Sequence, residues 1–404
     1  MKRIFSLFAI LALALSAAVT AAAEETAPAY SFKFSGYFKA DIAYDQARVN
    51  AGNYALYVLD KDENDVLSTT ARESRLGLDF TWKENGYQTD AKLEMDFYGL
   101  GVSAASLNSM ENKTSPMLRH AYLQITRGHW SILAGQTSDI ISPLVPKTVN
   151  YTVCWDQGNI GYRRPQFRLS AWGNAGERLK VSAALGAMRT LGGDLDGDKI
   201  DDGADAAVPT VQGRLGFVVK PCAKRTFDIG FSGHYGTEEY EAAGETKSIE
   251  SWSASADLKA SFSPRFEVAG ELFTGQNLGG YLGTVGQTVN PLKEAIGGKG
   301  GWAQASIMPV DRLWLNAGYS IDDPDEEDFT IAEGTTTTTS FIDKNSAIFG
   351  SVMFNVTSTV TAMLEIAQLS TTYIYQTYID DELATDSKDF DDMRVQFALK
   401  AAIK

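Results

Sequence analysis

Apolar and polar residues alternate with period two along most of the chain, the pattern of a strand with two unlike faces. In the first such stretch Phe32, Phe34, Phe38, Ala40, Ile42 and Tyr44 share one parity, and Lys33, Ser35, Lys39, Asp41 and Asp45 share the other. Leu76, Leu78, Phe80 and Trp82 then alternate with Arg75, Asp79 and Thr81, and Ala91, Leu93, Met95 and Phe97 with Asp90, Lys92, Glu94 and Asp96. A tight turn at Glu84-Asn85-Gly86 joins these two. The same reading predicts further strands near 117–127, 129–137, 159–172, 178–189, 211–221, 226–236, 249–262, 266–274, 301–308, 312–321, 345–356, 359–376 and 389–403, which makes sixteen.

The connections fall into two kinds that alternate strictly. Gly173 to Glu177, Ser263-Pro264-Arg265 and Val310-Asp311 are short; 48–70, 138–158, 190–209, 275–300 and 322–344 are long. An up-and-down barrel with short periplasmic turns and long extracellular loops gives that alternation, and an even strand count places both termini on the short-turn side. In the last strand Met393, Val395, Phe397, Leu399, Ala401 and Ile403 oppose Asp392, Arg394, Gln396 and Lys400. An apolar face suits lipid and a charged face suits a wet lumen, the reverse of a soluble sandwich. The fold expected is therefore all-β, a sixteen-stranded antiparallel transmembrane β-barrel over residues 31–404. Aromatics next to the short turns (Trp82, Tyr87, Trp130, Trp172, Phe227, Phe262, Phe266 and Phe354) read as the periplasmic girdle. The strand near 129–137 lacks a clear polar face, which suits contact with a neighbouring subunit.

Composition supports export. Met1-Lys2-Arg3 is basic, Ile4 to Val19 is apolar, and Ala21-Ala22-Ala23 precedes Glu24, so residues 1–23 read as a signal peptide and 24–30 as a short periplasmic segment. Removing Lys2 and Arg3 takes the formal net charge from −15 to −17, which argues against nucleic-acid partners. No later segment is long and apolar enough for a membrane helix, so any membrane crossing must be made by a closed barrel. The expected setting is the bacterial outer membrane, in contact with its lipid and lipopolysaccharide. Cys154 and Cys222 fall at opposite ends of that barrel and should not pair.

Leu118-Arg119-His120-Ala121-Tyr122 through Leu133-Ala134-Gly135-Gln136-Thr137 resembles the DcaP-like outer-membrane porins, as does Asn159 to Gln166, and Gly36 to Asp41 and Arg72 to Asp79 resemble related bacterial porins. The likeness covers the first 170 residues; beyond them only the barrel pattern continues. It implies a homotrimer of sixteen-stranded barrels, each with its own pore for small anionic solutes such as dicarboxylates. Two features depart from the pattern: the chain ends Ile403-Lys404 where such barrels usually end in an aromatic, and no helical stalk precedes the first strand.

Sixteen strands enclose a lumen too wide for wall side chains to fill. The loop at 138–158, stiffened by Pro143 and Pro146 and carrying Asp139, Lys147 and Asp156, is the expected constriction. Arg75, Glu94, His120, Tyr122, Arg164 and Arg168 are placed on the inward parity facing it, with the placement safer for Arg168 than for Arg163 or Arg164 because Pro165 interrupts the strand. Counting inward charge does not set the sign of selectivity, since Lys33, Lys39, Lys92, Lys180, Arg214, Lys259, Arg394 and Lys400 are balanced by inward carboxylates. The arginines near the constriction and the family resemblance lean toward anions. No cofactor is required. Asp194, Asp196, Asp198 and Asp202 have the spacing of a calcium loop, with Lys199 where a turn glycine belongs; a hydrated acidic loop is the simpler reading. His120, His129 and His234 lack metal-ligand spacing. Two other functions share parts of this pattern. One is a structural or adhesive barrel with a closed lumen; the other is an outer-membrane hydrolase built on His129 and Ser131, for which no oriented base and third group can be named.

Overall fold

The computed structural model describes residues 29–50, 53–61, 64–99 and 114–403; the expected signal peptide lies outside them. The strands are β1 (Ala29–Asp45), β2 (Val66–Thr70), β3 (Arg75–Glu84), β4 (Tyr87–Gly99), β5 (Ser115–Arg127), β6 (Trp130–Ser138), β7 (Arg163–Asn174), β8 (Leu179–Met188) and β9 (Thr210–Cys222). They continue with β10 (Arg225–Ala242), β11 (Glu245–Ser263), β12 (Phe266–Gln276), β13 (Gly297–Val310), β14 (Leu313–Pro324), β15 (Thr339–Asn355), β16 (Val360–Ile379) and β17 (Glu382–Ala402). Apart from β2 and β3, which both lie against β1, each pairs antiparallel with its sequence neighbour, and β17 returns to β1. Seventeen segments make sixteen staves, because β2 and β3 both pair with β1, over Asp41–Asp45 and Ala29–Tyr37 respectively, and form one stave broken at 71–74. The result is a closed sixteen-stranded antiparallel barrel.

The faces follow the sequence pattern. Phe34, Leu272 and Ile348 are each more than 60% exposed on the outside, while Lys39, Asp41, Asp257, Glu365 and Arg394 are buried within. That inversion of a soluble fold is what lipid outside and a polar interior require. Phe262 sits between Phe227 and Phe266, with ring centroids 5.7 and 5.6 Å away, so part of the expected aromatic girdle is a packed ladder at the short-turn rim.

Three expectations are corrected. The strict alternation of short and long connections fails twice, at Ala243-Gly244 and Asp380-Asp381, where the strands run on to 18–21 residues and close in two-residue turns. Those extensions carry few large apolar residues, so they resemble loops to a pattern search, yet they keep paired ladders above the bilayer. The stave expected to start at 159 starts at Arg163, which lengthens the preceding loop to 139–162. The expected loop 48–70 ends earlier, in β2.

The first and last staves close through the β1–β17 ladder, a buried Gln396–Asp41 hydrogen bond and a buried ion pair. Asp45 and Arg394 face each other across β1 and β17; the guanidinium reaches both carboxylate oxygens at 2.7 and 3.0 Å and also donates to the Asn53 carbonyl and to Gln396. Gly36 permits the β1 path beside β3: its φ is +125°, and a Cβ there would lie 2.1 Å from the Arg75 carbonyl oxygen. Arg394→Ala leaves Asp45 buried without its cation and is expected to cost about 3–5 kcal/mol, read as a lower urea midpoint for unfolding followed by tryptophan fluorescence.

Candidate functional site

The loop at 139–162 turns into the lumen and follows the inner wall. Its peptide groups have no sheet partners and must find acceptors elsewhere. The wall provides them on inward positions: Ile140 N–H donates to Gln212 of β9 (2.8 Å), Leu144 N–H to Glu271 of β12 (2.7 Å) and Lys147 N–H to Gln304 of β13 (2.6 Å). Val149 and Asn150 N–H both donate to Glu365 of β16, at 2.7 and 3.1 Å. The loop then reaches β1, where Lys39 Nζ donates to the Val149 carbonyl (2.8 Å). On its return Asp156 N–H donates to the Leu282 carbonyl, and Gly158, at φ +111°, lies so close to β13 and β14 that a Cβ would be 2.3 Å from the Gly301 carbonyl oxygen. Ser142, Val153, Cys154 and Asp156 all adopt positive φ, local strain held by these contacts.

The base of the loop is clasped by two of the residues anticipated as pore-lining. Asp139 exchanges hydrogen bonds with Tyr162, accepts one from Gln212, and holds Arg164 Nε at 2.9 Å. Arg164 is almost wholly buried, with its guanidinium 3.9 Å from the Tyr281 ring centroid, so it anchors the loop instead of facing a passage. Lys147 ties the far side, with Nζ 2.5 Å from Glu267 and 4.3 Å from the Trp314 ring.

Arg75, Glu94, His120, Tyr122 and Arg168 lie together on the wall formed by β3 to β7. Glu94 is the hub, 3.3 Å from Lys92, 3.0 Å from Arg119 and 3.9 Å from His120 Nε2, while His120 Nδ1 meets Thr137 Oγ1 at 2.9 Å. The Tyr122 ring lies 6.4 Å from that of His120. Arg168 donates to Gln166 and to the Ser138 carbonyl at the foot of the loop. Arg119 is the residue that alternation misses. A bulge shifts the β4–β5 register between Glu94 and Met95, so Arg119 and His120 both turn inward, and Arg119 also reaches Asp96 at 2.6 Å.

Between this wall and the loop lies a cavity of about 310 Å³. Arg75, Arg119, Arg163 and Lys400 line it with the aromatics Tyr37, Tyr151, Trp155 and Tyr162, against the carboxylates Glu73 and Asp139. Asp139 is held by Arg164, and Glu73 takes Lys39 Nζ and the Tyr37 hydroxyl. Arg75, Arg163 and Lys400 have no carboxylate within ion-pair distance among the described residues, and Arg75 Nε and Arg163 NH2 have no hydrogen-bond partner. Elsewhere on the lumen wall Glu271 of β12 and Glu365 of β16 accept loop peptides, and Asp257 of β11 is paired with Arg214.

Cys154 and Cys222 are both free thiols, Cys154 buried in the loop, where burial pushes it up to about 12 and leaves it a thiol, and Cys222 exposed. His129 lies in the short turn between β5 and β6, its carbonyl accepting the Trp172 N–H.

Two outcomes follow for the loop. Glu365→Ala removes both acceptors that hold Val149 and Asn150, so single-channel current should rise and become noisier than in the unaltered barrel. Asp156 is buried with one carboxylate oxygen unpartnered, and burial pushes it up to about 7. The folded chain therefore holds that proton more tightly than the unfolded one, and Asp156 lowers stability as pH rises from its unfolded value near ~4 through about 7. Asp156→Asn should match the unaltered barrel below that window and exceed it above, by roughly 3–4 kcal/mol at most, in unfolding midpoints measured across pH.

No family model matches the sequence, and no curated protein matches it either. Solved structures do resemble the fold. The outer-membrane channel DcaP of Acinetobacter baumannii matches at TM-score 0.69 and 16% identity over 93% of this chain and 97% of that one. An anion-selective porin from Comamonas acidovorans matches at TM-score 0.57 and 14% identity, covering 93% and 100%. OmpT, an outer-membrane protein of Vibrio cholerae described in its trimer form, matches at TM-score 0.54 and 10% identity, covering 93% and 100%. With its apolar exterior and charged lumen, this chain has the fold of a bacterial outer-membrane porin.

Proposed function

We propose that the chain is a porin through which small hydrophilic solutes diffuse passively, with a preference for anions such as dicarboxylates. The observation that carries this reading is the convergence of Arg75, Arg163 and Lys400, none of them ion-paired, on the cavity beside the inward loop. Cations in a narrow, low-dielectric passage attract anions and raise their local concentration. A carboxylate can accept from a guanidinium in a bidentate manner, and a second carboxylate can use the neighbouring cation. Glu271, Glu365 and Asp257 oppose this less than free carboxylates would, because loop peptides and Arg214 engage them. The likeness to a porin described as anion-selective agrees with it.

A homotrimer is the assembly we favour. β6 turns Ile132 and Ala134 outward, a low-relief surface suited to close packing between barrels, and one similar structure is described as a trimer.

A closed barrel is the second reading, and the many contacts between loop and wall favour it. Liposome swelling separates the two. Liposomes holding the protein should swell faster in an isosmotic dicarboxylate than in a diamine of similar size. Replacing Arg75, Arg163 and Lys400 together by Gln should lower the dicarboxylate rate by about tenfold while leaving a small neutral sugar nearly unchanged. Absence of swelling in every solute would establish the closed barrel.

A further inference from the structure

The loop between β8 and β9, residues 189–209, lies at the long-loop rim, and none of its residues lines the cavity beside the inward loop. Six aspartates stand between 194 and 205, at 194, 196, 198, 201, 202 and 205. Counting Asp194 as the first position, Asp196, Asp198, Asp202 and Asp205 fall at the third, fifth, ninth and twelfth, and the Ile200 carbonyl at the seventh, as in a twelve-residue calcium loop. The sequence departs from that pattern at Lys199, which replaces the turn glycine, but Lys199 itself adopts the left-handed conformation at φ +75°. A short helix, α1 (Asp202–Asp205), follows with Asp201 as its cap.

The structure gathers part of this set. Carboxylate oxygens of Asp194, Asp196 and Asp202 lie within 4.8 Å of one another, while Asp198 accepts from the Ile200 N–H and stands outside the group. The observation that asks for a ligand is Asp202. Its side chain is fully buried; Oδ2 accepts from the Leu195 N–H, and Oδ1 has no hydrogen-bond partner. A buried carboxylate oxygen with no donor, placed beside two further carboxylates, is costly unless a cation meets it. The nearby basic side chains are engaged elsewhere: Lys293 donates to the Leu195 carbonyl at 2.8 Å and lies over the Tyr240 ring, and Arg189 reaches Asp201 at 3.3 Å.

We propose that Asp194, Asp196 and Asp202 bind a divalent cation, calcium by donor chemistry. All the donors are oxygens, which excludes a preference for the softer transition metals, and a flexible carboxylate-rich loop suits calcium better than the strict octahedron of magnesium. The site ties the outer rim together. Asp196 Oδ2 accepts the Glu241 N–H of β10 at 2.8 Å, and Lys293, on Leu195, belongs to the 277–296 loop, so a bound ion fixes three extracellular segments to one another.

Isothermal titration of the detergent-solubilised full barrel with CaCl2 tests this directly. A single saturable event per barrel is expected, with a Kd of about 0.1–1 mM, the range of extracellular calcium modules. Asp202→Asn should weaken it at least tenfold. Asp194→Asn, at an exposed loop position outside the barrel strands, should do the same. Calcium should also raise the melting temperature of the unaltered protein and not that of either variant. Absence of saturable heat, equal affinity in the variants, or an equal response to magnesium would overturn the assignment.

Discussion

The lumen is organised by hydrogen bonds between the peptide groups of one loop and acidic or amide side chains of the barrel wall. Backbone N–H groups of 144, 147, 149 and 150 would be unsatisfied inside a barrel, and Glu271, Gln304 and Glu365 accept them. These bonds decide where the loop lies. They also decide the charge of what is left open, since the carboxylates that accept loop peptides cannot face a passing solute freely. Of the cations lining the cavity, Arg119 is paired with Glu94 and Asp96, while Arg75, Arg163 and Lys400 have no carboxylate partner among the described residues. Position of the loop and electrostatic character of the passage therefore have a common origin.

The barrel was largely legible in the sequence because its physical requirement is simple: one parity meets lipid and the other meets water. Phe32 to Tyr44 and Met393 to Ile403 announce their faces, and the structure pairs those two strands at the closure. Legibility failed where the alternation no longer had lipid to satisfy. Above the bilayer, the β10–β11 and β16–β17 hairpins stay paired while both faces become polar, as in Thr237 to Glu241 and Asp380 to Asp389. The start of β7 was misplaced because 159–162 belongs to the loop that Asp139 and Tyr162 clasp together.

The candidate site was legible in its members more than in their roles. Arg75, Glu94, His120, Tyr122 and Arg168 do meet on one wall, yet Arg164 and Asp139 form an internal anchor that parity alone could not separate from a pore-facing pair. Arg119 was hidden by a bulge, which leaves no period-two signature, and Lys400 and Arg163 become neighbours of the passage only through the tertiary path of the loop. The acidic run at 194–202 was visible as a motif; that Asp202 is buried with an unmatched oxygen could come only from three dimensions.

With the loop anchored to the wall, Arg75, Arg163 and Lys400 line the cavity without carboxylate partners among the described residues. The zero-current potential of the unaltered protein in a planar bilayer, under a KCl gradient at neutral pH, tests this most directly. The expected potential has the sign set by chloride crossing faster than potassium and diminishes as ionic strength rises and the cations are screened. A potential of the opposite sign, showing preference for potassium, would contradict it.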